Sequence, residues 1–506
     1  MALQAGQGLL AGRGRAGALM LLAGVAHTAG FAPFELWWLQ ILALACLAWA
    51  VQGTAPGRAA WLGWCFGLGW LASGFWWIYV SLHDFGELPA VLSALAVLLL
   101  AAFLALYVAG AMALLRRLAS ARPLAAGLQF AALWTLSELA RGQWLSGFPW
   151  IASGYAHSLG PLATLAPWVG VYGMGLAAAL LAAALANLAH PAQRSFALLG
   201  LALLLPLAAT LAPGEFTTST GPLRVSLLQP NVPQDIKFDP DHIAANMQAL
   251  QQRLHAAQGE LVLTPESVLP ASREQLDDSY WQQLTAPYRQ GHQAALIGIF
   301  LGEGEGMVVN SMVGMAPGHA QDYAYGKRHL LPFGEYLPWG SRWFVQMLNI
   351  PLGDQGRGGT QAAFAVAGQR VRPLICYEDL FGEDFVGSVV GPDAATVLAN
   401  ASNLAWFGRW MMQDQHLQFS QLRAMEFQRP LVRATNTGAT AAIDHLGRIT
   451  ARLPAWTAGT LDTQVDGRQG ATPYARWLSR WGLWPLWGLV LALLFAASRW
   501  GAARRR

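Results

Sequence analysis

Residues 372–381 read Arg-Pro-Leu-Ile-Cys-Tyr-Glu-Asp-Leu-Phe and place Cys376 at the end of a short apolar run. A run of this length is typical of a buried strand, and a thiol beside an acid is typical of a strand that delivers a nucleophile into a pocket. The alternative is a core cysteine, because free Cys is among the most buried residue types. The rest of the chain has to decide between these interpretations.

Around this stretch the sequence alternates between short β-like runs and polar helical segments, from residue 220 to about residue 470. The predicted strands are 223–228, 261–264, 294–300, 308–315, 371–377, 395–399, 431–435 and 439–444, and the predicted helices are 240–257 and 414–428. About 250 residues of such alternation indicate one α/β domain.

Two further stretches of this domain place a chemically distinctive residue after an apolar run. Leu261–Glu266 ends in an acid, and Tyr325–Tyr336 carries Lys327. Lys327 and Lys237 are the only lysines in the chain, whereas its other basic side chains are mostly arginines. Because Arg cannot replace Lys where a compact charge or a titratable amine is needed, both lysines are candidates. The alternative for Lys237 is a surface lysine without a role.

A carboxylate, an ammonium and a thiol together can perform acyl transfer. The thiol, with a reference pKa of about 8.5, needs a base near pH 7, and Glu266 is the candidate. Lys327 would stabilise the oxyanion of the tetrahedral intermediate. Glu335 and Glu378 would position the lysine, assist proton transfer or offset its charge, and the sequence does not separate these roles.

The composition indicates a membrane protein. Of the 506 residues 54% are hydrophobic and only 12% are charged, against about 25% charged in an ordinary soluble protein. The predicted spans are 15–32, 36–53, 59–82, 88–115, 124–140, 161–189, 195–213 and 481–498. This predicts about eight transmembrane helices, with seven in residues 1–213, an extracytoplasmic domain at 220–470, and the eighth helix with a basic tail at 481–506.

The arginines predict the orientation of these spans. Alternate loops, counted from the N-terminus, and the C-terminal tail carry Arg58, Arg116, Arg117, Arg122, Arg194, Arg499, Arg504, Arg505 and Arg506. The opposite loops are poor in Arg. Because positive loops stay in the cytoplasm, both termini are expected to be cytoplasmic and the α/β domain to face outward.

The sequence carries no pattern for a metal, a cofactor or a nucleic acid. Two of the three cysteines, Cys46 and Cys65, lie in predicted spans, so neither a disulfide framework nor a CxxC pair is possible. The histidines lack HExxH spacing. The glycine cluster most similar to a nucleotide-binding loop lies in an acidic turn rather than between a strand and a helix. We therefore expect no cofactor.

A charged pair ends the fifth predicted span. Glu138 and Arg141 are three residues apart, on one helical face, and precede the aromatic residues Phe148 and Trp150. An ion pair at the membrane edge can grip a lipid headgroup. Equally, the aromatic residues can simply anchor the helix at the interface.

Several apolar stretches of the α/β domain are too hydrophobic for ordinary exposed loops: 330–339, 343–351 and 406–412. They dip into lipid or line an acyl-chain portal, or they pack against the membrane helices. Trp406, Phe407 and the more distant Phe238 are the candidate lipid contacts. The glycines of 353–360 indicate a mobile loop or lid.

The order Glu, Lys, Cys with these local sequences resembles the nitrilase superfamily, which implies an α-β-β-α sandwich and a triad of Glu266, Lys327 and Cys376. The whole chain, with such a domain between its seventh and eighth helices, is similar to the membrane-bound apolipoprotein N-acyltransferase family. The matching motifs lie at 147–150, 327–335, 376–378, 406–408 and 429–438. One departure is Leu404, where the family pattern has Asp.

This resemblance implies a two-step reaction in the inner membrane of a Gram-negative bacterium, the last step of lipoprotein maturation, with the α/β domain in the periplasm. Cys376 attacks the sn-1 ester of a phospholipid such as phosphatidylethanolamine, and the α-amino group of a diacylglyceryl-cysteine on an apolipoprotein then takes the acyl chain. Glu335, Tyr377 and Glu378 support the triad. The alternatives are a membrane-tethered amidase that uses water, and an inactive domain that binds lipoproteins.

Overall fold

The computed structural model describes residues 12–118, 120, 122–188, 200, 214–302, 307–337, 354–359 and 362–502. These residues form two compact units. The helical unit contains the described residues up to Gly214 and from Arg480 onward, and the α/β unit is Glu215–Ser479.

Apolar helices build the helical unit. They are α1 Arg13–Thr28, α2 Trp37–Ala50, α3 Pro56–Gly74, α4 Ala90–Arg117, α5 Pro123–Gln143 and α6 Ala166–Leu188. Short helical turns lie at Ile78–Val80, Ser81–Phe85, Trp144–Ser146, Ser153–His157 and Pro161–Leu165. Small residues allow close contact between helices: a Cβ at Gly24 in α1 would lie 2.0 Å from the carbonyl oxygen of Phe66 in α3.

Two of the described helical stretches, α4 and 161–188, are long and apolar enough to cross a membrane. The number rises to four if each of two bent pairs counts as one span. One pair is α3 with Ile78–Phe85, bent by 60°, and the other joins Pro473–Trp481 to Trp484–Trp500 at 93°. The predicted span 59–82 is therefore broken after Gly74. Of the predicted helix 195–213, only residue 200 is among the described residues. The structure gives two to four candidate spans.

The α/β unit contains two six-stranded sheets. The strands are β1 Thr217–Gln229, β2 Leu261–Leu263, β3 Ala294–Leu301, β4 Val309–Met315, β5 Tyr323–Gly326, β6 Phe364–Val366, β7 Gln369–Ile375, β8 Val397–Ser402, β9 Leu431–Thr435, β10 Ala441–Ile443, β11 Ile449–Arg452 and β12 Gly459–Gly470. Their orders are β12-β1-β2-β3-β4-β5 and β11-β10-β9-β8-β7-β6. In each sheet three parallel strands, β1-β2-β3 or β7-β8-β9, are flanked by antiparallel ones.

Helices cover the outer faces of both sheets. Helices α7 Pro240–Ala256 and α8 Asp278–Gln290 bury Leu254, Trp281 and Tyr288 against the first sheet. Helix α9 Met412–Phe427 packs on β9 and β10 of the second sheet, and β1 contacts β9 between the sheets. Short helical turns lie at Arg273–Gln275, Cys376–Leu380, Gly382–Phe385 and Ala405–Phe407. The other described helices are a short one at Val386–Val389, α10 Pro473–Trp481 and α11 Trp484–Ala502. The predicted α-β-β-α sandwich is confirmed.

The predicted strands all overlap observed ones, but their ends differ. The predicted strand 371–377 ends at Ile375, so Cys376 follows the strand instead of lying within it. The patterns missed β5, β6, β11 and β12, and the helices α8 and α10. The strand β12 is rich in Asp, Thr and Gln, and pairing with β1 along its whole length makes it a strand. Local propensity cannot predict such a strand.

Candidate active site

The candidate residues meet where the parallel strands of both sheets end. Glu266 follows β2, Cys376 follows β7 and Asn403 follows β8. The backbone N–H of Asn403 donates to Glu266 Oε2 at 3.0 Å and so ties the second sheet to the first. Residues far apart in sequence reach one edge because all parallel strands of a sheet end on the same side.

Cys376 lies in a strained tight turn. Its φ is +51°, a left-handed conformation that is uncommon for residues other than glycine. The turn Cys376–Leu380 follows β7 at once, and Asn400 Nδ2 donates to the Cys376 carbonyl oxygen at 3.2 Å. The residue is 9% exposed. The turn therefore holds a nearly buried thiol at the end of a rigid strand.

Glu266 has partners for both carboxylate oxygens. Oε1 accepts from Asn310 Nδ2 at 2.7 Å and lies 3.4 Å from Lys327 Nζ, while Oε2 accepts from the Asn403 backbone. The turn that carries it needs a glycine beneath it, since a Cβ at Gly298 would lie 2.2 Å from the Pro265 carbonyl oxygen. Packing and hydrogen bonds thus fix the carboxylate beside the ammonium.

Lys327 follows β5 and is buried between two carboxylates. Its Nζ lies 2.7 Å from Glu335 Oε1 and 3.4 Å from Glu266 Oε1. Burial by itself lowers the pKa of Lys327, but the charges of Glu335 and Glu266 outweigh it and hold that pKa above its usual value. The ammonium therefore stays charged at neutral pH.

The thiol of Cys376 interacts electrostatically with Lys327 and its two carboxylates. Burial, and after it the charge of Glu266, raises the pKa of the thiol well above its usual value, against the opposing charge of Lys327. The resting cysteine is thus a neutral thiol at pH 7 and needs a base to become a nucleophile. Glu266 is the carboxylate with the largest effect on it.

The contacts separate two acids that the sequence left together. Glu335 bonds the ammonium of Lys327 and accepts from the Leu331 N–H at 2.8 Å. Glu378 accepts from the Tyr325 hydroxyl at 2.7 Å and from the Ile375 N–H at 2.8 Å. It also accepts from the Arg328 N–H at 2.7 Å, so it joins the cysteine turn to the lysine segment. Burial raises the pKa of Glu378.

Tyr377 packs in an aromatic cluster. Its ring centroid lies 5.1 Å from that of Phe381 and 5.8 Å from that of His329. His329 accompanies Lys327 on the segment after β5, and its ring stacks on Phe381 at 3.4 Å. Tyr377 therefore packs the cysteine turn against the lysine segment.

The candidate lipid contacts fall into two groups. In the α/β unit Phe238 and Trp406 are 46% and 37% exposed and Phe407 is half-buried. In the helical unit Arg141 is buried, and its Nη1 donates to the carbonyl oxygens of Phe148 and Trp150 at 2.6 and 2.9 Å. These bonds fold the loop after α5. Contact of either group with lipid stays a prediction.

The glycine-rich loop is tied down where the structure describes it, at 354–359. The Gly356 N–H donates to the Val308 carbonyl oxygen at 2.9 Å, and the Gly358 N–H donates to that of Lys327 at 2.8 Å. A Cβ at Gly358 would lie 2.1 Å from the Gly326 carbonyl oxygen, so the glycine permits close backbone contact. Mobility of this loop stays a prediction, and its two ends lie outside the described residues.

The sequence patterns missed Asn310, which lies within β4. Its Nδ2 donates to Glu266 at 2.7 Å and approaches Glu335 Oε1 at 3.4 Å, so one amide bridges both carboxylates. The available signal was a polar pair, Asn310 and Ser311, in the otherwise apolar predicted strand 308–315. Leu404, where the family pattern has Asp, is fully buried. Over the described part of the chain, no group of His, Cys, Asp and Glu could hold a metal ion.

Comparison with known proteins places the α/β unit in a class. Residues 224–474 match the carbon-nitrogen hydrolase family, in agreement with the sandwich and its strand-end site. Residues 23–184 match the N-terminal domain of apolipoprotein N-acyltransferase. The two matches cover most of both units.

Relatives that match nearly the whole chain identify the family within this class. The apolipoprotein N-acyltransferase of Verminephrobacter eiseniae is 46% identical over 92% of this chain and 92% of its own. That of Ralstonia nicotianae is 45% identical over 96% of this chain and 93% of its own, and that of Bordetella bronchiseptica is 41% identical over 98% and 99%. The chain belongs to the apolipoprotein N-acyltransferase family, as its sequence motifs predict.

Proposed function

We propose that the protein transfers an acyl chain from the sn-1 position of a phospholipid to the α-amino group of the N-terminal diacylglyceryl-cysteine of an apolipoprotein, through a thioester on Cys376. One observation carries this proposal. In a chain of this family, a neutral thiol on a strained turn interacts with the buried pair Glu266 and Lys327, which are 3.4 Å apart.

In the first step Glu266 takes the proton of the Cys376 thiol, and the sulfur attacks the ester carbonyl carbon. Lys327 stabilises the oxyanion of the tetrahedral intermediate, in a buried site where such an interaction is strong. When the intermediate collapses, the C–O bond breaks and the lysophospholipid oxygen takes the proton from Glu266. The acyl chain remains on Cys376 as a thioester.

In the second step the neutral α-amino group attacks the thioester carbonyl carbon. Glu266 takes a proton from the attacking nitrogen and passes it to the departing sulfur of Cys376. An α-amino group has a pKa of about 8, so a fraction of the acceptor is already neutral at pH 7. The products are the amide and the free thiol.

The supporting residues have distinct proposed roles. Glu335 holds the ammonium of Lys327, and Glu378 and Tyr377 position the cysteine turn relative to the lysine segment. Exposed or half-exposed apolar side chains, Phe238, Trp406 and Phe407, are the proposed contacts for acyl chains. No cofactor takes part in these steps.

The proposed location follows from the substrates and the arginines. Both substrates keep their acyl chains in the bacterial inner membrane, with their reacting groups at its outer surface. We place about eight helices in that membrane, with seven in residues 1–213 and one in 481–506. The domain at 220–470 is then periplasmic and both termini are cytoplasmic, because the Arg-rich loops alternate.

The test follows the acyl chain by intact-protein mass. Purified protein incubated with phosphatidylethanolamine is expected to gain the mass of one acyl chain, and Cys376→Ala is expected to gain none. Addition of a diacylglyceryl peptide should return the protein to its original mass and acylate the peptide. A peptide with an acetylated α-amino group is the matched control.

Three results would contradict the proposal. Release of free fatty acid with no acylated peptide would make the protein a hydrolase that uses water. Peptide binding without any acyl group on Cys376 would make it a binding protein. Normal transfer by the Cys376→Ala variant would also contradict the assignment of the nucleophile.

A further inference from the structure

The second lysine of the chain, Lys237, is buried next to the proposed base. It is 5% exposed and lies on the segment between β1 and α7. Its Nζ donates to Ser267 Oγ at 2.9 Å, and Ser267 directly follows Glu266. Lysine is almost never fully buried unless a partner compensates its charge, so a surface role is excluded.

The segment that carries Lys237 is bonded to the strand ends that form the site. The Asn231 N–H donates to the Asn436 carbonyl oxygen at 2.8 Å, and Gln234 Oε1 accepts from Asn403 Nδ2 at 2.8 Å. The backbone of the same Asn403 holds Glu266. The position of the lysine is therefore set by the elements that set the position of the acid.

Lys237 and Glu266 face the same small cavity, which Asn436 and apolar side chains also line. Among the residues that the structure describes, no other charged side chain lines that cavity. The charge of Glu266 acts on the ammonium of Lys237. Glu266 also interacts with Lys327 and with the thiol of Cys376. Glu335 contacts the same lysine.

Among Glu266, Glu335 and the two lysines, the charges balance only when Lys237 is included. The other buried charged groups near the thiol are Glu378 and the ion pair of Asp379 with Arg433. Glu266 and Glu335 carry two negative charges and share Lys327 and the amide of Asn310. With Lys327 alone, two neighbouring carboxylates would share one ammonium, and a like charge raises the pKa of a carboxyl group. A protonated Glu266 cannot accept the proton of Cys376.

We propose that Lys237 is a positioning residue for the acid–base step: its ammonium balances the second carboxylate and keeps Glu266 ionised as the proton acceptor of Cys376. This inference rests on the role proposed above for Glu266. The lysine touches neither substrate nor the reacting sulfur and acts through the neighbouring acid. Its chemistry explains why this position carries a lysine in a chain that otherwise prefers Arg.

The charge state of Lys237 suits this role. Burial lowers its pKa to about 8, against the opposing charge of Glu266. The ammonium form therefore predominates below about pH 8. Carboxylates gain and lose their protons well below that pH. The positive charge is present wherever it is needed to keep Glu266 ionised.

The test compares pH profiles of thioester formation for four proteins: wild type, Lys237→Gln, Lys237→Arg and Ser267→Ala. Lys237→Gln loses the charge but keeps a hydrogen-bond donor, Lys237→Arg keeps the charge, and Ser267→Ala removes only the bond between Lys237 and Ser267. For Lys237→Gln we expect the acid limb of the profile to move up by about one pH unit. We also expect the rate at the wild-type midpoint to fall about fivefold, with the phospholipid KM within about twofold.

In the two controls the acid limb should stay where it is in the wild type, even if the rate falls. A Lys237→Gln profile that falls in height without moving would overturn the proposal, because a merely structural lysine gives that result. An equal shift in Lys237→Arg would overturn it too, since the charge is then irrelevant.

A second readout does not need the proposed acyl transfer. The rate at which iodoacetamide alkylates Cys376, followed by peptide mass, also depends on transfer of the thiol proton to Glu266. We expect the same shift of about one pH unit for Lys237→Gln. If the wild type forms no thioester, the proposed function fails, while an unshifted alkylation profile refutes the role of Lys237 separately. Lys237→Met provides a second uncharged variant should Lys237→Gln fold poorly.

Discussion

Each unit of this protein buries a carboxylate and a cation close together, and the two sets differ in their partners. In the helical unit Glu138 Oε1 accepts from the Ser153 N–H at 2.7 Å, and Arg141 donates to two backbone carbonyl oxygens. In the α/β unit Lys327 lies between the side chains of Glu266 and Glu335. The cation of the first set bonds backbone carbonyl oxygens, whereas the cation of the second lies between two carboxylates and interacts with a thiol.

This difference shows why burial of charge alone does not mark a catalytic site. A buried ion that bonds backbone groups satisfies a loop that would otherwise lack partners, and its loss is a loss of structure. A buried ammonium that lies between carboxylates and beside a nucleophile changes the protonation of those neighbours. Variants of the two sets should therefore fail in different ways.

The largest effect is expected for Lys327→Arg. The guanidinium keeps the charge, but it is larger, planar and wrongly shaped for a site built around a compact ammonium. Loss of the oxyanion contact should reduce the rate of thioester formation by at least about a hundredfold. Mass spectrometry of Cys376 measures this rate, and activity near that of wild type would remove Lys327 from the proposed chemistry.

A smaller loss is expected for Glu335→Gln. The amide can still bond Lys327 Nζ, which lies 2.7 Å from Glu335 Oε1 in the wild type, but it no longer offsets the charge. The ammonium should then draw closer to Glu266 and weaken it as a base, so we expect the rate to fall about tenfold. Glu378→Gln is the matched comparison, and its main effect should be on folding because Glu378 joins two backbone segments.

The corresponding change in the helical unit is Arg141→Lys. One ammonium cannot reach both carbonyl oxygens that the guanidinium holds, so we expect a stability loss of about 2 kcal/mol. The rate per folded molecule and the phospholipid KM should not change. Thermal unfolding in detergent measures the first, and initial rates measure the second. A raised KM with unchanged stability would instead make Arg141 a headgroup ligand.

The exposed Phe238 tests the rim of the site. It is 46% exposed, so its removal costs little packing energy. If its ring contacts an acyl chain, Phe238→Ala should raise the phospholipid KM by about threefold and leave kcat unchanged. An unchanged KM for long-chain donors would show that the ring does not contact the donor.

The smallest expected effect concerns how the stability contributed by Lys327 and its two carboxylates depends on pH. The folded pKa of this lysine is raised above its unfolded value, because two carboxylates outweigh the burial that lowers it. Its contribution to stability is therefore complete below the unfolded value of about 10.4 and is lost only as the pH rises through the higher folded value. The destabilisation caused by Lys327→Met should be equal at pH 6 and pH 9. Thermal unfolding that converged between these two values would contradict the raised pKa.

The sequence alone predicted the class of the molecule well. Relatives 46% and 45% identical confirm the family to which its motifs are similar, and the predicted sandwich is present. Strand existence was predictable because buried strands are apolar runs. Strand ends were not, and the difference of two residues at β7 moved Cys376 from the strand into a turn.

The membrane region is the less determined part. Apolar runs predicted eight spans, whereas the described helices include two to four candidates. Hydropathy registers neither the 60° bend after Gly74 nor the 93° bend between α10 and α11. The eight-span topology stays a prediction.

By itself the sequence determined which side chains carry reactive groups, since an acid, a rare lysine and a thiol at strand ends are visible in the order of residues. Only the tertiary structure decided which groups meet. It separated Glu335, on the ammonium, from Glu378, on the backbone, and buried Lys237 beside the proposed base. The reason is physical: the protonation and partners of a buried group depend on neighbours brought by distant strands, which no local pattern contains.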